Sequence, residues 1–307
     1  MTVTARGLFG GAGGSKGSPS GKTRTWHVGQ SSWMYASVTD AIAAINADAI
    51  APSATNRSII KVWPGKYTST AAYVVPSWTT VEGCGRGNTQ FQNDTTDLFQ
   101  VGGDNVWFQD FLVEGSPTVG LYAFDCNDKS AVHLNHVDMF DNGGTARQFF
   151  LKQEGANWTV LKFDHCDVDY NGLTGYACRI YNTSGAARIV DCWVKDCFFD
   201  AFALTSGGGC FDLSKLRDIR FWHDVIRGTN APGSATFFHT GIRVRNGSST
   251  GITCEIAHCV MCGAERGSGG VAAFGDASTT IFCDGSVVRG IATSGTLTEG
   301  LANYKTQ

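Results

Sequence analysis

The sequence predicts an all-β fold: a right-handed parallel β-helix of about eight to ten turns, with a short N-terminal capping helix and an extended N-terminal arm. Three observations predict it. One short pattern recurs seven times between residues 104 and 290, from Val106–Val113 to Ile281–Val288. Within each copy apolar residues stand two apart with polar residues between, the pattern of strands that bury one face. A glycine turn closes most copies, as at Glu114-Gly115, Asn171-Gly172, Arg227-Gly228 and Arg289-Gly290.

The elements follow in chain order. Residues 1–25 form a Gly- and Ser-rich arm with too little apolar surface to fold alone. It is expected either as a disordered tail or as an assembly arm pinned by neighbouring subunits, with Leu8 and Phe9 as its anchors. Its run Gly10–Lys16 lacks the residue order and strand-to-helix context of a phosphate loop. Residues 26–75 read as an N-terminal cap. Inside it, Tyr35–Asn46 reads as an amphipathic helix whose apolar face is Val38, Ala41, Ile42 and Ile45. Residues 76–290 form the β-helix, and residues 291–307 a C-terminal cap or tail.

The repeat is best read in columns. The first apolar column holds Val106, Val132, Leu161, Ala187, Ile219, Cys254 and Ile281. Two residues on stand Phe108, Leu134, Phe163, Ile189, Phe221, Ile256 and Cys283. The phase then slips by one to an anchor column of Phe111, Val137, Cys166, Cys192, Asp224, Cys259 and Ser286. A slip of one residue requires a bend. The residue before each anchor is Asp110, His136, His165, Asp191, His223, His258 or Gly285. These residue types tolerate a left-handed backbone better than most. The column therefore reads as a structural corner ladder, whose Asp–His neighbours are also acid/base partners in type. An eighth, weaker copy lies at Thr79–Cys84, with Cys84 as anchor. At the usual strand spacing of about 4.8 Å, eight turns make a rod on the order of 40 Å long.

These features resemble the pectin-lyase-like superfamily of right-handed parallel β-helices. The Tyr35–Asn46 helix, the strand and turn Ile59–Tyr67 with its Pro64-Gly65-Lys66-Tyr67, and the segment Val75–Gly85 match the way that family opens its coil. The resemblance spans roughly residues 26–290 and implies the fold. The same fold carries lyases, hydrolases, esterases, phage tailspikes and non-catalytic virion parts, so chemistry must be argued from a site. The family's polygalacturonase signatures are absent; Asn182-Thr183-Ser184 departs from the first of them at its carboxylate.

Composition narrows the partners. A formal charge of −3, with no long Lys/Arg run, disfavours nucleic acid. No apolar stretch is long enough to span a membrane, and Met1–Gly7 reads without the apolar core of a secretory signal. The eleven cysteines are an odd number, so at least one thiol stays free or bridges to another chain. Cys126, Cys197 and Cys262 are the candidates for intersubunit disulfides, and Cys166 and Cys192 are expected on adjacent turns. Cys259 and Cys262 have a zinc-knuckle gap but no second pair, so neither metal nor cofactor is expected.

The candidates for chemistry are outward carboxylates that could bind calcium or cleave a sugar: Asp138 with Asp141, and Asp164 with Asp167 and Asp169. Outward Trp107, Trp158, Trp193 and Trp222 suit a sugar or a protein interface. Two functional readings result. The first, by resemblance, is a bacteriophage virion component (capsid decoration, neck or spike). It would be a side-by-side homotrimer held to other virion proteins by its arm, assembled in the host cytoplasm and then extracellular. The second is a spike that binds or degrades a host-surface polysaccharide, with its site around Asp138 and Asp167.

Overall fold

The computed structural model describes residues 23–306, apart from 94–95, 115–120, 127–128, 141–146, 156–159, 171–175, 183–187, 204–208, 215, 231–239, 246–251, 263–270, 276–278, 290, 294–295 and 300–303. Leu8, Phe9 and the arm up to residue 22 lie outside the described residues, as do Asp141 and Trp158.

Three ladders of parallel strands form the faces of a coil. The first runs Arg24–Val28, Ser58–Val62, Thr79–Glu82, Val106–Glu114, Val132–Phe140, Val160–Asp164, Arg188–Lys195, Leu216–Trp222, Ile252–Ala257, Thr279–Asp284 and Thr296–Glu299. The second begins with Gly65–Ser69 and Thr89–Asn93. It passes through the C-terminal halves of Val106–Glu114 and Val132–Phe140, and ends at Tyr304–Thr306. The third starts at Tyr73–Val75 and ends at Ile291–Thr293. Every ladder joins strands from successive turns in parallel, which defines a parallel β-helix. The first ladder is longer than the repeat implied. It adds Arg24–Val28 and Ser58–Val62 before the eighth, weaker copy and Thr296–Glu299 after the last. The coil therefore reaches beyond residues 76–290 into the segments expected as caps.

The helix α1, Val38–Ala47, forms as its pattern predicts, and Val38, Ala41, Ile42 and Ile45 are its buried face. Ser37 caps it: its Oγ accepts from the Asp40 N–H at 3.1 Å. The helix lies against Arg24–Val28, Ser58–Val62 and Tyr73–Val75, so it covers the open end of the coil. Inside, inward columns stack phenylalanines. Phe91, Phe99, Phe108, Phe111 and Phe124 are fully buried, with ring centroids 4.8–6.5 Å apart. Apolar burial of this kind contributes about 25 cal/mol per Å² removed from water.

The corner column adopts the backbone its residue types suggest. Asp110, His136, His165, His223 and His258 have φ between 50° and 60°, and Gly285 has φ 55°. The fourth copy is different from its expected register. Cys192 pairs with Leu161 and Val194 with Phe163, five residues beyond the expected alignment. The left-handed residue of that turn is Asp196, φ 52°, and Asp191 lies within the strand opposite Val160. Both Asp191-Cys192 and Asp196-Cys197 satisfy the corner–anchor pattern. The second choice also puts Phe199 opposite Val168 on the inward face. Cys166 consequently neighbours Cys197 and not Cys192.

Candidate functional site

A left-handed corner leaves the next residue's N–H pointing inward, away from the backbone ladder. The anchor side chains satisfy it. Cys166 N–H donates to Cys197 Sγ (3.3 Å), Cys197 N–H to Asp224 Oδ1 (2.8 Å), Asp224 N–H to Cys259 Sγ (3.4 Å), and Cys259 N–H to Ser286 Oγ (3.0 Å). From Cys166 to Ser286 each turn is thus tied to the next by a buried heteroatom, as buried N–H groups require. This explains why small polarisable residues fill the column. Asp224, 1% exposed, also accepts from Trp222 N–H at 2.9 Å. Burial pushes its carboxyl up to about 8 against the two backbone hydrogen bonds, which act to lower it.

The same geometry corrects the disulfide expectation. Cys126 is fully buried and Cys197 is 3% exposed, so neither presents its sulfur to another chain. Burial pushes both thiols well up. Cys197 acts instead as acceptor for Cys166 and as donor to the Lys195 carbonyl at 3.1 Å. Cys262 closes the strand Val260–Cys262, in register with Arg227 and Arg289.

The outward side of the second ladder brings carboxylates together. Asp138 and Asp167 are in register on adjacent turns, and the Asp167 N–H donates to Asp138 Oδ1 at 3.2 Å. Two residues along, Asp169 is in register with Phe140 on one side and Asp200 on the other. Four carboxylates from three turns therefore share one patch. Its flanks are apolar or cationic: Phe140 is 50% exposed, and the Arg227 guanidinium lies 5.2 Å from the Phe198 ring centroid.

One cation enters this patch from outside the repeat. The loop Gly83–Asn88 folds against the corner, with Gly83 N–H donating to Gln109 C=O and Gly85 N–H to Asp110 C=O, both 2.9 Å. Gly83 is required for that approach, since a Cβ there would stand 2.3 Å from the Asp110 carbonyl oxygen. From this loop Arg86 reaches two turns. Its Nη1 lies 3.0 Å from Asp138 Oδ1, and its Nη2 donates to the His165 carbonyl at 2.6 Å.

Electrostatics separate the two carboxyls. Burial raises Asp138 to about 6, with the Asp167 charge adding to the rise and Arg86 opposing it. Asp167, the more exposed of the pair, is also raised by burial against its neighbours and drawn down by Arg86. Asp169 is raised by burial, then by Asp200 and Asp167. The site thus pairs a carboxyl raised to about 6 with a neighbour that lies more open to solvent, an asymmetry of the kind acid/base chemistry uses.

The corner residues face solvent beside this patch. The His136 and His165 rings stack at 4.8 Å and 20°, and His223 and His258 lie 5.4 Å apart. His165 Nδ1 is 2.8 Å from Asp164 Oδ1, and Asp196 lies between His165 and His223 at 3.9 and 3.4 Å. On the first ladder a different stripe forms. Trp107 stacks on His133 at 4.3 Å, while Lys162 and Arg220 cover Trp193 at 5.7 and 4.9 Å. Burial, then Lys162 and Arg57, push His133 down to about 4. Trp222, 39% exposed, donates from its indole N–H to His223 Nε2 at 3.1 Å.

Of the residues singled out in the sequence, Asp138, Asp167 and Asp169 converge, whereas Asp164 belongs to the corner. Arg86, Asp196 and Asp200 were not singled out. Arg86 stands outside the repeat, and its only signal is that it is flanked by glycines in Gly83-Cys84-Gly85-Arg86-Gly87.

No protein-family model matches the chain, and no curated protein does. Solved structures are similar to it. A pectin methylesterase in complex with a hexasaccharide matches with a TM-score of 0.48 at 11% identity, over 91% of this chain and 89% of that one. The Aspergillus niger pectin methylesterase matches with a TM-score of 0.34 at 11% identity, over 94% and 87%. The A-module of an Azotobacter vinelandii mannuronan C-5 epimerase matches with a TM-score of 0.32 at 11% identity, over 88% and 93%. None of the three is a virion protein, so the bacteriophage reading gains no support from them.

Proposed function

We propose that this β-helix binds a polysaccharide along the outward side of its second ladder and hydrolyses a glycosidic bond there. The observation that carries the reading is the in-register pair Asp138 and Asp167, with Arg86 held against Asp138. Adjacent rungs stand about 4.8 Å apart. That is close to the roughly 5–5.5 Å between carboxyl groups in retaining glycosidases, and short of the spacing that admits a water between them. Asp138, raised to about 6, is the general acid that protonates the leaving oxygen. Asp167 is the nucleophile: its carboxylate bonds to the sugar carbon as the leaving oxygen departs with the Asp138 proton, and a water that gives its proton back to Asp138 then displaces it. Arg86 holds the Asp138 carboxylate in place once its proton has left. Phe140, half exposed on the rim of the patch, offers a ring face to a sugar.

Incubating the protein with a panel of neutral and acidic polysaccharides at pH 5.5, and measuring new reducing ends, tests the proposal. The expected result is release from at least one polymer. Neither reducing ends nor retardation in a polysaccharide-containing native gel, for any polymer, would refute it.

A further inference from the structure

We propose that the corner formed by Asp164, His165 and Asp196 binds a first-row divalent transition cation, for which Zn²⁺ is the probe, with His223 as a fourth ligand. The side chains of Asp164, His165 and Asp196 each offer a ligand atom, and all three atoms lie within 4.8 Å of one another. They come from two adjacent turns, and His223 from a third. His165 Nδ1 is 2.8 Å from Asp164 Oδ1, His165 Nε2 is 3.9 Å from Asp196 Oδ2, and His223 Nδ1 is 3.4 Å from Asp196 Oδ1. Ligand atoms about 2 Å from a zinc ion stand roughly 3–4 Å from each other, and His165 would give the ion only one of its two nitrogens, so side-chain rotation must close the set from its 4.8 Å spread.

Backbone conformation makes the convergence systematic. His165, Asp196 and His223 are all left-handed corner residues, at φ 53°, 52° and 57°. That conformation projects their side chains outward on one edge, one rung apart. The His136 ring, stacked on His165 at 4.8 Å, fixes the plane of that imidazole. Two carboxylates with imidazole nitrogen suit zinc and its first-row neighbours; calcium and magnesium prefer oxygen alone. One local cation must give way: Lys195 Nζ stands 3.3 Å from Asp196 Oδ2. Lys195 is long and half-exposed, so it can swing into solvent.

The site differs from the carboxylate patch, although Arg86 touches both, through Asp138 and the His165 carbonyl. A bound ion would clamp three successive turns at the edge of that patch.

Chelator-treated full-length protein is titrated with Zn²⁺ by calorimetry and with Co²⁺ by absorption. The expected result is one ion per chain, with a Co²⁺ spectrum of nitrogen and oxygen ligation. His165→Asn and Asp196→Asn each weaken binding at least about tenfold, whereas His258→Asn leaves it unchanged. Asn tolerates the left-handed corner, so these variants keep the local backbone. If either variant misfolds by circular dichroism, the wild-type Co²⁺ spectrum decides alone. Thiolate charge-transfer absorption would place the ion on cysteine and overturn the proposal. So would no binding by the wild type at millimolar Zn²⁺, or equal binding by both folded corner variants.

Discussion

Replacing Asp224 with serine should remove a fall in stability with rising pH that the wild type shows, so that the two stability profiles cross. Asp224 is buried in the anchor column and raised to about 8 from an ordinary 3.8. The folded-state value lies above the unfolded one. Its contribution to stability is therefore fully present below about pH 4 and is lost as the pH rises through 8. Between those limits the native state holds about one proton more than the unfolded chain, and stability falls by about 1.4 kcal/mol per pH unit. The full window of about four units sets an upper bound of roughly 5 kcal/mol. Serine keeps an acceptor for the Cys197 N–H, as Ser286 Oγ does for Cys259 N–H at 3.0 Å. It loses the 2.9 Å bond from Trp222 N–H, at a cost of about 1–3 kcal/mol. Asp224→Ser should thus be less stable than the wild type at pH 5 and more stable at pH 8. Urea unfolding followed by tryptophan fluorescence at pH 5, 6.5 and 8 measures the crossing. Parallel stability profiles for the two proteins would refute the buried, protonated role of Asp224.

Three further outcomes follow from the same geometry. Because Asp138 must be protonated to act as acid and is raised to about 6, kcat/KM should fall with unit slope above about pH 6, which a pH–rate profile reads directly. Cys126, Cys178 and Cys197 are buried and their thiols pushed well up, so they should resist a thiol reagent in the native protein and react once it is unfolded. His223→Gly should change stability little, whereas His223→Val, at φ 57°, should cost about 1–3 kcal/mol in thermal or urea unfolding.

The fold was legible because burial enforces it at every turn. Val132, Leu134, Val137 and Met139 recur at the spacing of their counterparts, and the one-residue slip between Leu134 and Val137 forces the corner at His136. The fourth copy was misaligned for a local reason. Asp191-Cys192 and Asp196-Cys197 carry the same residue pair five apart, and only stacking of Phe199 on Val168 separates them. Cys126 and Cys197 read as thiols open to another chain although both are buried; for Cys197 the reason is that a sequence does not display which N–H groups a corner leaves without a partner. The carboxylates Asp138, Asp167 and Asp169 were visible through alternation alone. Arg86 was not, because contact between residues 86 and 138 depends on how the Gly83 loop folds over the corner.

The most direct measurement compares wild type, Asp138→Asn and Asp167→Asn on the polysaccharide that the wild type cleaves, with turnover and binding recorded separately. If the paired carboxyls carry the chemistry, each variant loses at least about a hundredfold in kcat, while its affinity for the polymer stays within about tenfold of wild type. Full turnover by either folded variant would contradict the account.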